Sequence, residues 1–166
     1  MATAPPSNPL VVNGGFELGV LAPWVESYPN VATIGNGSQA FAGDYYLNLE
    51  SAPGNRANTV HQVLPELDTT ATYNVTAQVW GPPVSTANSC AGRISIGNNV
   101  TAGLIASVDI SYEQSRRWLP LQGTFQPKQS QLALYLQSQC TLSGASHTGI
   151  LYFDEITLTE IPPVLY

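Results

Sequence analysis

Apolar residues recur in this chain with a period of two rather than 3.6, and 14 glycines and 13 prolines interrupt the pattern at short intervals. That combination restricts the fold to short extended strands joined by turns. Residues 72–80 carry the alternation most cleanly. Tyr73, Val75, Ala77 and Val79 fall on one face, and Asn74, Thr76, Gln78 and Trp80 on the other. Residues 131–139 repeat it, with Leu132, Leu134 and Leu136 alternating against Tyr135, Gln137 and Gln139. Shorter strands are predicted at 31–34, 45–49, 59–63, 93–96, 107–111, 119–125 and 149–159. Around ten short strands with no helix of three turns predict an all-β, two-sheet β-sandwich. Residues 81–89 and 141–148 read as loops. A length of 166 residues predicts one domain over 10–160, flanked by Pro-rich tails at 1–9 and 161–166.

Composition narrows the function. Only 10% of residues are charged, and the net charge of −6 includes just five basic residues, of which Arg116 and Arg117 alone are adjacent. Such a surface cannot neutralise a run of phosphates, which argues against nucleic acid and against anionic membranes. No apolar run approaches the roughly 20 residues that span a bilayer. Residues 1–9 lack the apolar stretch of a signal peptide, so the chain reads as a mature or excised domain. Cys90 and Cys140 are either buried thiols or a bridge. Sequons begin at Asn36, Asn74 and Asn99. With the low charge, these signals predict a secreted, extracellular glycoprotein with a Cys90–Cys140 disulfide, which would stabilise it by ~4 kcal/mol on the loop-entropy argument.

Two strings at opposite ends of the chain are the most specific motifs. One is Asn13-Gly14-Gly15-Phe16-Glu17 followed by Pro23-Trp24. The other is Leu151-Tyr152-Phe153-Asp154-Glu155-Ile156-Thr157-Leu158. Together they resemble the first and last strands of CenC-type carbohydrate-binding modules, families four, nine and twenty-two, which share the galactose-binding-like jelly roll. The resemblance spans residues 8–160, with its specificity concentrated at the two ends. It implies that Glu17 and Asp154 lie side by side and hold a structural calcium ion, a cation that takes roughly six to eight oxygen ligands. In the related modules the glycine before Phe-Glu adds a carbonyl, here that of Gly15. A small loop matching residues 41–45 adds two more, which points to Ala42 and Tyr45. The alternative is that Glu17 and Asp154 simply cap turns. The cysteine pair is also similar to that of modules from filamentous fungi, which implies a fungal source.

The resemblance further implies a cleft over the concave sheet, in which exposed aromatics stack on sugar rings beside planar hydrogen-bonding groups. Tyr135 and Gln137 are the residues carried over from the strand over 131–139. Gln78 and Trp80 share a polar face and are expected on the same shallow binding surface as Tyr135 and Gln137, although an indole at a strand end can equally cover a loop. Trp24 and Trp118 match family positions that pack under the sheets. Tyr112 is either a cleft aromatic or a surface turn, and Arg93 either grips hydroxyls or a uronate or is merely solvated. Residues 55–61 match a segment that often supplies a stacking aromatic, but here they hold Asn55, Arg56, Asn58 and His61 instead, a departure from the family pattern; His61 is a candidate sugar contact. A glycan at Asn74 would crowd a face shared with Gln78 and Trp80.

No catalytic constellation stands out. A glycosidase needs two carboxylates roughly 5 to 9 Å apart across a cleft, and no pair among the eleven acids is singled out by spacing. His61 and His147 lack zinc spacing, and no GxSxG elbow exists. The sequence therefore predicts a monomeric, non-catalytic module that binds a cell-wall polysaccharide or oligosaccharide, of β-glucan or hemicellulose type. Its role would be to tether a covalently linked or co-secreted glycan-active enzyme. A secreted adhesive wall protein without a working cleft is the alternative, and a calcium-dependent polysaccharide-degrading enzyme the lesser one.

Overall fold

The computed structural model describes residues 10–81, 88–98, 103–143 and 147–165. Ten strands follow one another along the chain: β1 (Val25–Glu26), β2 (Ala32–Asn36), β3 (Tyr45–Glu50), β4 (Ala57–Leu64), β5 (Thr72–Trp80), β6 (Ser89–Gly97), β7 (Leu104–Ile110), β8 (Trp118–Phe125), β9 (Leu132–Thr141) and β10 (Ile150–Ile161). They form two five-stranded antiparallel sheets, a front sheet in the order β1-β4-β9-β6-β7 and a back sheet in the order β2-β3-β10-β5-β8. This is the predicted two-sheet sandwich. Every strand foreseen from periodicity is present, and the one not foreseen, β1, is two residues long and has no period to read.

Alternation supplies the core. From the front sheet Val60, Ile94, Leu134 and Leu136 point inward, and Leu47, Val75, Val79, Leu151 and Phe153 meet them from the back sheet, all fully buried. Each such side chain stabilises the fold by roughly 1.5–3 kcal/mol relative to exposure. A Cβ on Gly92 would come within 3.0 Å of Val79 Cγ2, so the sheets close tightly there. The core continues past the sheets into the N-terminal coil, where Phe16 and Trp24 are buried with ring centroids 6.1 Å apart. The Trp24 indole N–H donates to the Asn13 carbonyl (3.1 Å), and the Asn13 amide donates to the carbonyls of Val20 and Ala22. Ile156 N–H donates to the Gly14 carbonyl (2.9 Å), and a Cβ on Gly14 would sit 2.0 Å from Ile156 O. Only glycine admits that approach, and it is how the two end motifs meet.

Cys90 and Cys140 face each other across the β6–β9 ladder and are joined by a disulfide, Cα to Cα 4.0 Å. Gly149 leaves room for it, since a Cβ there would lie 2.5 Å from Cys140 Sγ. Trp118 corrects an expectation. It pairs with Trp80, whose side chain points outward, so Trp118 lies half-buried on the outer face of the back sheet and not in the core. Of the predicted loops, Ser89 opens β6 and Thr141 closes β9, while residues 82–87 and 144–146, the 1–9 tail and the Asn99 sequon lie outside the described residues.

Candidate functional site

Strand β9 alternates buried and half-buried residues along its whole length, so Tyr135, Gln137 and Gln139 form a stripe on the outer face of the front sheet. Register fixes their neighbours. His61 and Ser95 flank Tyr135, Thr59 and Arg93 flank Gln137, and Ala57 and Ala91 flank Gln139. The rings of Tyr135 and His61 lie 5.2 Å apart and are tilted by 37°, so neither ring plane is fully covered by the other. A polar trough of about 530 Å³ borders this pair on one side, lined by Asn98, Gln129 and Gln131. A more apolar one of about 590 Å³ borders it on the other, lined by Val12, Val25 and Pro65. Val25, Val63 and Val12 are about half exposed along that margin. The stripe from Ala133 to Thr141 runs roughly 26 Å at a strand's ordinary rise, space for several sugar rings. Tyr135, Gln137, His61 and Arg93 are thus brought together.

Gln78 and Trp80 are not part of that surface. Both point outward from β5, in the back sheet, on the opposite side of the sandwich. Trp80 stacks on Tyr152 with centroids 4.8 Å apart and planes 7° from parallel, and Tyr152 packs on Tyr46 at 4.9 Å. Rings stacked in parallel at the interstrand spacing present their edges to solvent, not a platform for a sugar. Burial and the neighbouring Tyr152 hydroxyl push the Tyr46 phenol above its usual range. Tyr112 is exposed in the loop between β7 and β8, on no strand. Asn74 also faces outward from the back sheet, with its side chain hydrogen-bonded to Gln122, and Asn36 is exposed at the end of β2. A glycan at Asn74 would therefore not crowd the Tyr135 stripe.

The carboxylates of the two end motifs converge on one loop. Asp154 Oδ2 accepts from the N–H groups of Phe41 (2.9 Å) and Ala42 (3.2 Å), while Oδ1 accepts from Glu155 (2.7 Å). Glu17 Oε1 accepts from Asp44 (3.0 Å) and Tyr45 (3.1 Å). Ala42 and Tyr45 thus meet the carboxylates through their amide nitrogens. A Cβ on Gly43 would fall 2.1 Å from Glu17 Oε1, so the loop crest is moulded on that carboxylate. The loop is pinned further by Trp118, whose indole donates to the Gln39 carbonyl (3.2 Å) and whose ring meets Phe41 edge-on.

Asp154 is fully buried, and desolvation pushes its pKa up to about 6, against the lowering effect of its backbone hydrogen bonds and with the Glu155 charge adding to the rise. Glu155 sits at a break in the β10 register with φ of 51°. Its Oε1 would be 3.1 Å from a Cβ on Gly15. Sequence reading missed Glu155, because strict alternation sends it away from Asp154 and only the bulge returns it. Among the described residues no group of three or more His, Cys, Asp or Glu side chains is clustered to hold a metal. Carboxylate oxygens are nevertheless the donor type that a hard cation takes. Each carboxylate keeps lone-pair capacity beyond its hydrogen bonds, and Asp154 is a buried charge without a cationic partner among the described residues.

A family model described as a carbohydrate binding domain, CBM_4_9, matches residues 8–146. No curated protein gives a significant match. Among solved structures the chain is similar to TmCBM61 in complex with β-1,4-galactotriose, with a TM-score of 0.65 and 17% identity, covering 93% of this chain and 100% of that one. It is similar also to the CBM22-1 xylan-binding domain of Xyn10C from Paenibacillus barcinonensis, with a TM-score of 0.65 and 18% identity, covering 98% of this chain and 100% of that one. A family 16 carbohydrate binding module gives a TM-score of 0.57 at 19% identity, covering 91% and 99%. At these identities the likeness is one of fold.

Proposed function

Because the chain belongs to the CBM_4_9 carbohydrate binding domain family, we propose that the outer face of the front sheet binds a cell-wall polysaccharide of the β-glucan or hemicellulose type. The observation that carries this reading is the half-buried Tyr135–His61 pair on the outer face of the front sheet, beside Gln137 and Arg93 and bordered by open troughs. Sugar rings stack their C–H faces on such rings, and their hydroxyls pair with amide and guanidinium groups. Xylan and galactotriose, named for similar structures, are the first ligands to try. With two small rings and no tryptophan on this face, binding per site is weak. The module works as a tether, raising the effective concentration of a linked or co-secreted glycan-active enzyme and carrying out no chemistry of its own.

Calcium belongs to the same proposal. Glu17, Asp154 and the carbonyls of Gly15, Ala42 and Tyr45 would hold it, and the ion would neutralise the buried Asp154 charge and fix the loop over residues 41–45. Its side of the sandwich is the back sheet, away from the Tyr135 stripe, so its role is stability. The Cys90–Cys140 bridge supports an oxidising, extracellular setting. N-glycans at Asn36 and Asn74 and a fungal origin complete the reading.

Retention on insoluble glucans, xylan, galactan, cellulose and chitin tests the assignment. We expect the chain to be held by at least one of them, released by Tyr135→Ala and weakened by His61→Ala, and unaffected by Trp80→Ala. Retention on none would favour an adhesive wall protein, and release of reducing or unsaturated sugars an enzyme.

A further inference from the structure

At the cystine end of the front sheet's outer face, Ala91 leaves a gap between Gln139 and Asp109, its partners on either side. The gap is a cup of about 120 Å³ whose rim includes Arg93, Asp109, Gln139, Ser89 and Thr141. Its polar groups are built into place. Arg93 Nη1 donates to Gln139 Oε1 (2.5 Å), Gln139 Nε2 donates to the Asn55 carbonyl (2.7 Å), and Asn55 Oδ1 accepts from Leu142 N–H (2.9 Å). Asn55 itself is held at φ 58°. One nitrogen of the guanidinium is thereby anchored, and among the described residues its other donors remain for a ligand. Asp109 shares the cup but forms no ion pair with Arg93 within 4.0 Å. A fixed donor and an acceptor-only carboxylate therefore line the same cup without pairing with each other.

We propose that this cup is a subsite selecting neutral over acidic sugars. Arg93 donates to one hydroxyl of a neutral ring, Asp109 accepts from its neighbour, and the Asp109 carboxylate repels a uronate that Arg93 alone would attract. The inference rests on the front face being the carbohydrate surface. Its chemistry follows from the donor and acceptor inventory. A vicinal diol satisfies both Arg93 and Asp109, whereas a carboxylate brought into so small a space faces a like charge, which is how an interface rejects a close analogue.

Titration calorimetry with two matched probe pairs decides it. One pair is xylohexaose against a glucuronate-branched xylo-oligosaccharide, and the other is β-1,4-galactotriose against a galacturonate trimer. The wild-type chain should bind the neutral member of at least one pair, and bind it several-fold more tightly than its acidic counterpart. Asp109→Asn should weaken neutral binding and bring the two affinities close to equal, and Arg93→Lys should lower neutral binding by roughly tenfold. Asp109 is exposed, so an unchanged melting temperature in Asp109→Asn will show that the variant is folded. If Tyr135→Ala abolishes binding while Asp109→Asn leaves the neutral-to-acidic ratio unchanged, the subsite is wrong and the face is right. If the wild-type chain binds none of these probes but is held by an insoluble glucan, cellulose or chitin, the subsite is wrong and the face is right; if it binds neither the probes nor any insoluble polysaccharide, or binding is indifferent to Tyr135→Ala, both fail together.

Discussion

Gly43 is held at φ 65° with the Glu17 carboxylate where a Cβ would be. Gly43→Ala therefore strains the backbone and displaces a carboxylate that receives two main-chain N–H groups. We expect a loss of about 2–4 kcal/mol by chemical denaturation; Gly37→Ala, at φ 113° with nothing within 4 Å of the added carbon, strains the backbone without displacing a neighbour. Asp154 gives a second test at this scale. Its folded-state pKa of about 6 lies above the ordinary 3.8, so without metal the native state binds more protons than the unfolded chain between those values. The contribution of Asp154 is then fully present below about pH 4 and is lost as pH rises through about 6, on the order of 1–3 kcal/mol in all. In chelator, denaturation midpoints of wild type and Asp154→Asn between about pH 4 and 7 should diverge with that sign. Saturating calcium, which binds the ionised carboxylate, should reverse the sign and stabilise wild type over Asp154→Asn as pH rises.

Elements explain what the sequence could and could not disclose. Alternation in β5 and β9 gave the inward and outward side chains of both strands correctly, from Tyr73 to Trp80 and from Leu132 to Gln139. A period of two fixes which face a side chain takes within its own sheet, but not which sheet the strand joins. Gln78 and Trp80 therefore looked like neighbours of Tyr135 until topology separated them. Glu155 was hidden by the opposite fault, a bulge that breaks the period. Strand β6 was longer than predicted because Cys90, Ala91 and Gly92 carry little hydrophobic pattern, although all three are buried. Two predictions belong here. Trp80→Ala should cost about 1–2 kcal/mol through the lost Tyr152 stack and leave sugar retention intact. Replacing both Cys90 and Cys140 by alanine should cost about 2–4 kcal/mol, chiefly through a less constrained unfolded chain, because the β6–β9 ladder persists.

In the whole molecule the two proposed sites lie on opposite faces of one sandwich, the carboxylate pair under the loop on the back sheet and the sugar stripe on the front. Both sheets share one core, so calcium should raise the melting temperature without altering sugar affinity at temperatures where the metal-free chain is folded. Trp118, tied to the same loop through Gln39, should report calcium binding as a change in indole fluorescence that Trp118→Phe removes. Whether Tyr135 and its neighbours on the front sheet bind polysaccharide can be read by affinity electrophoresis through gels containing soluble xylan, galactan or β-glucan, comparing wild type with Tyr135→Ala and Trp80→Ala. At least one polysaccharide should retard wild type and Trp80→Ala alike while Tyr135→Ala migrates freely. Retardation that survives Tyr135→Ala and disappears with Trp80→Ala would instead move the binding surface to the back sheet.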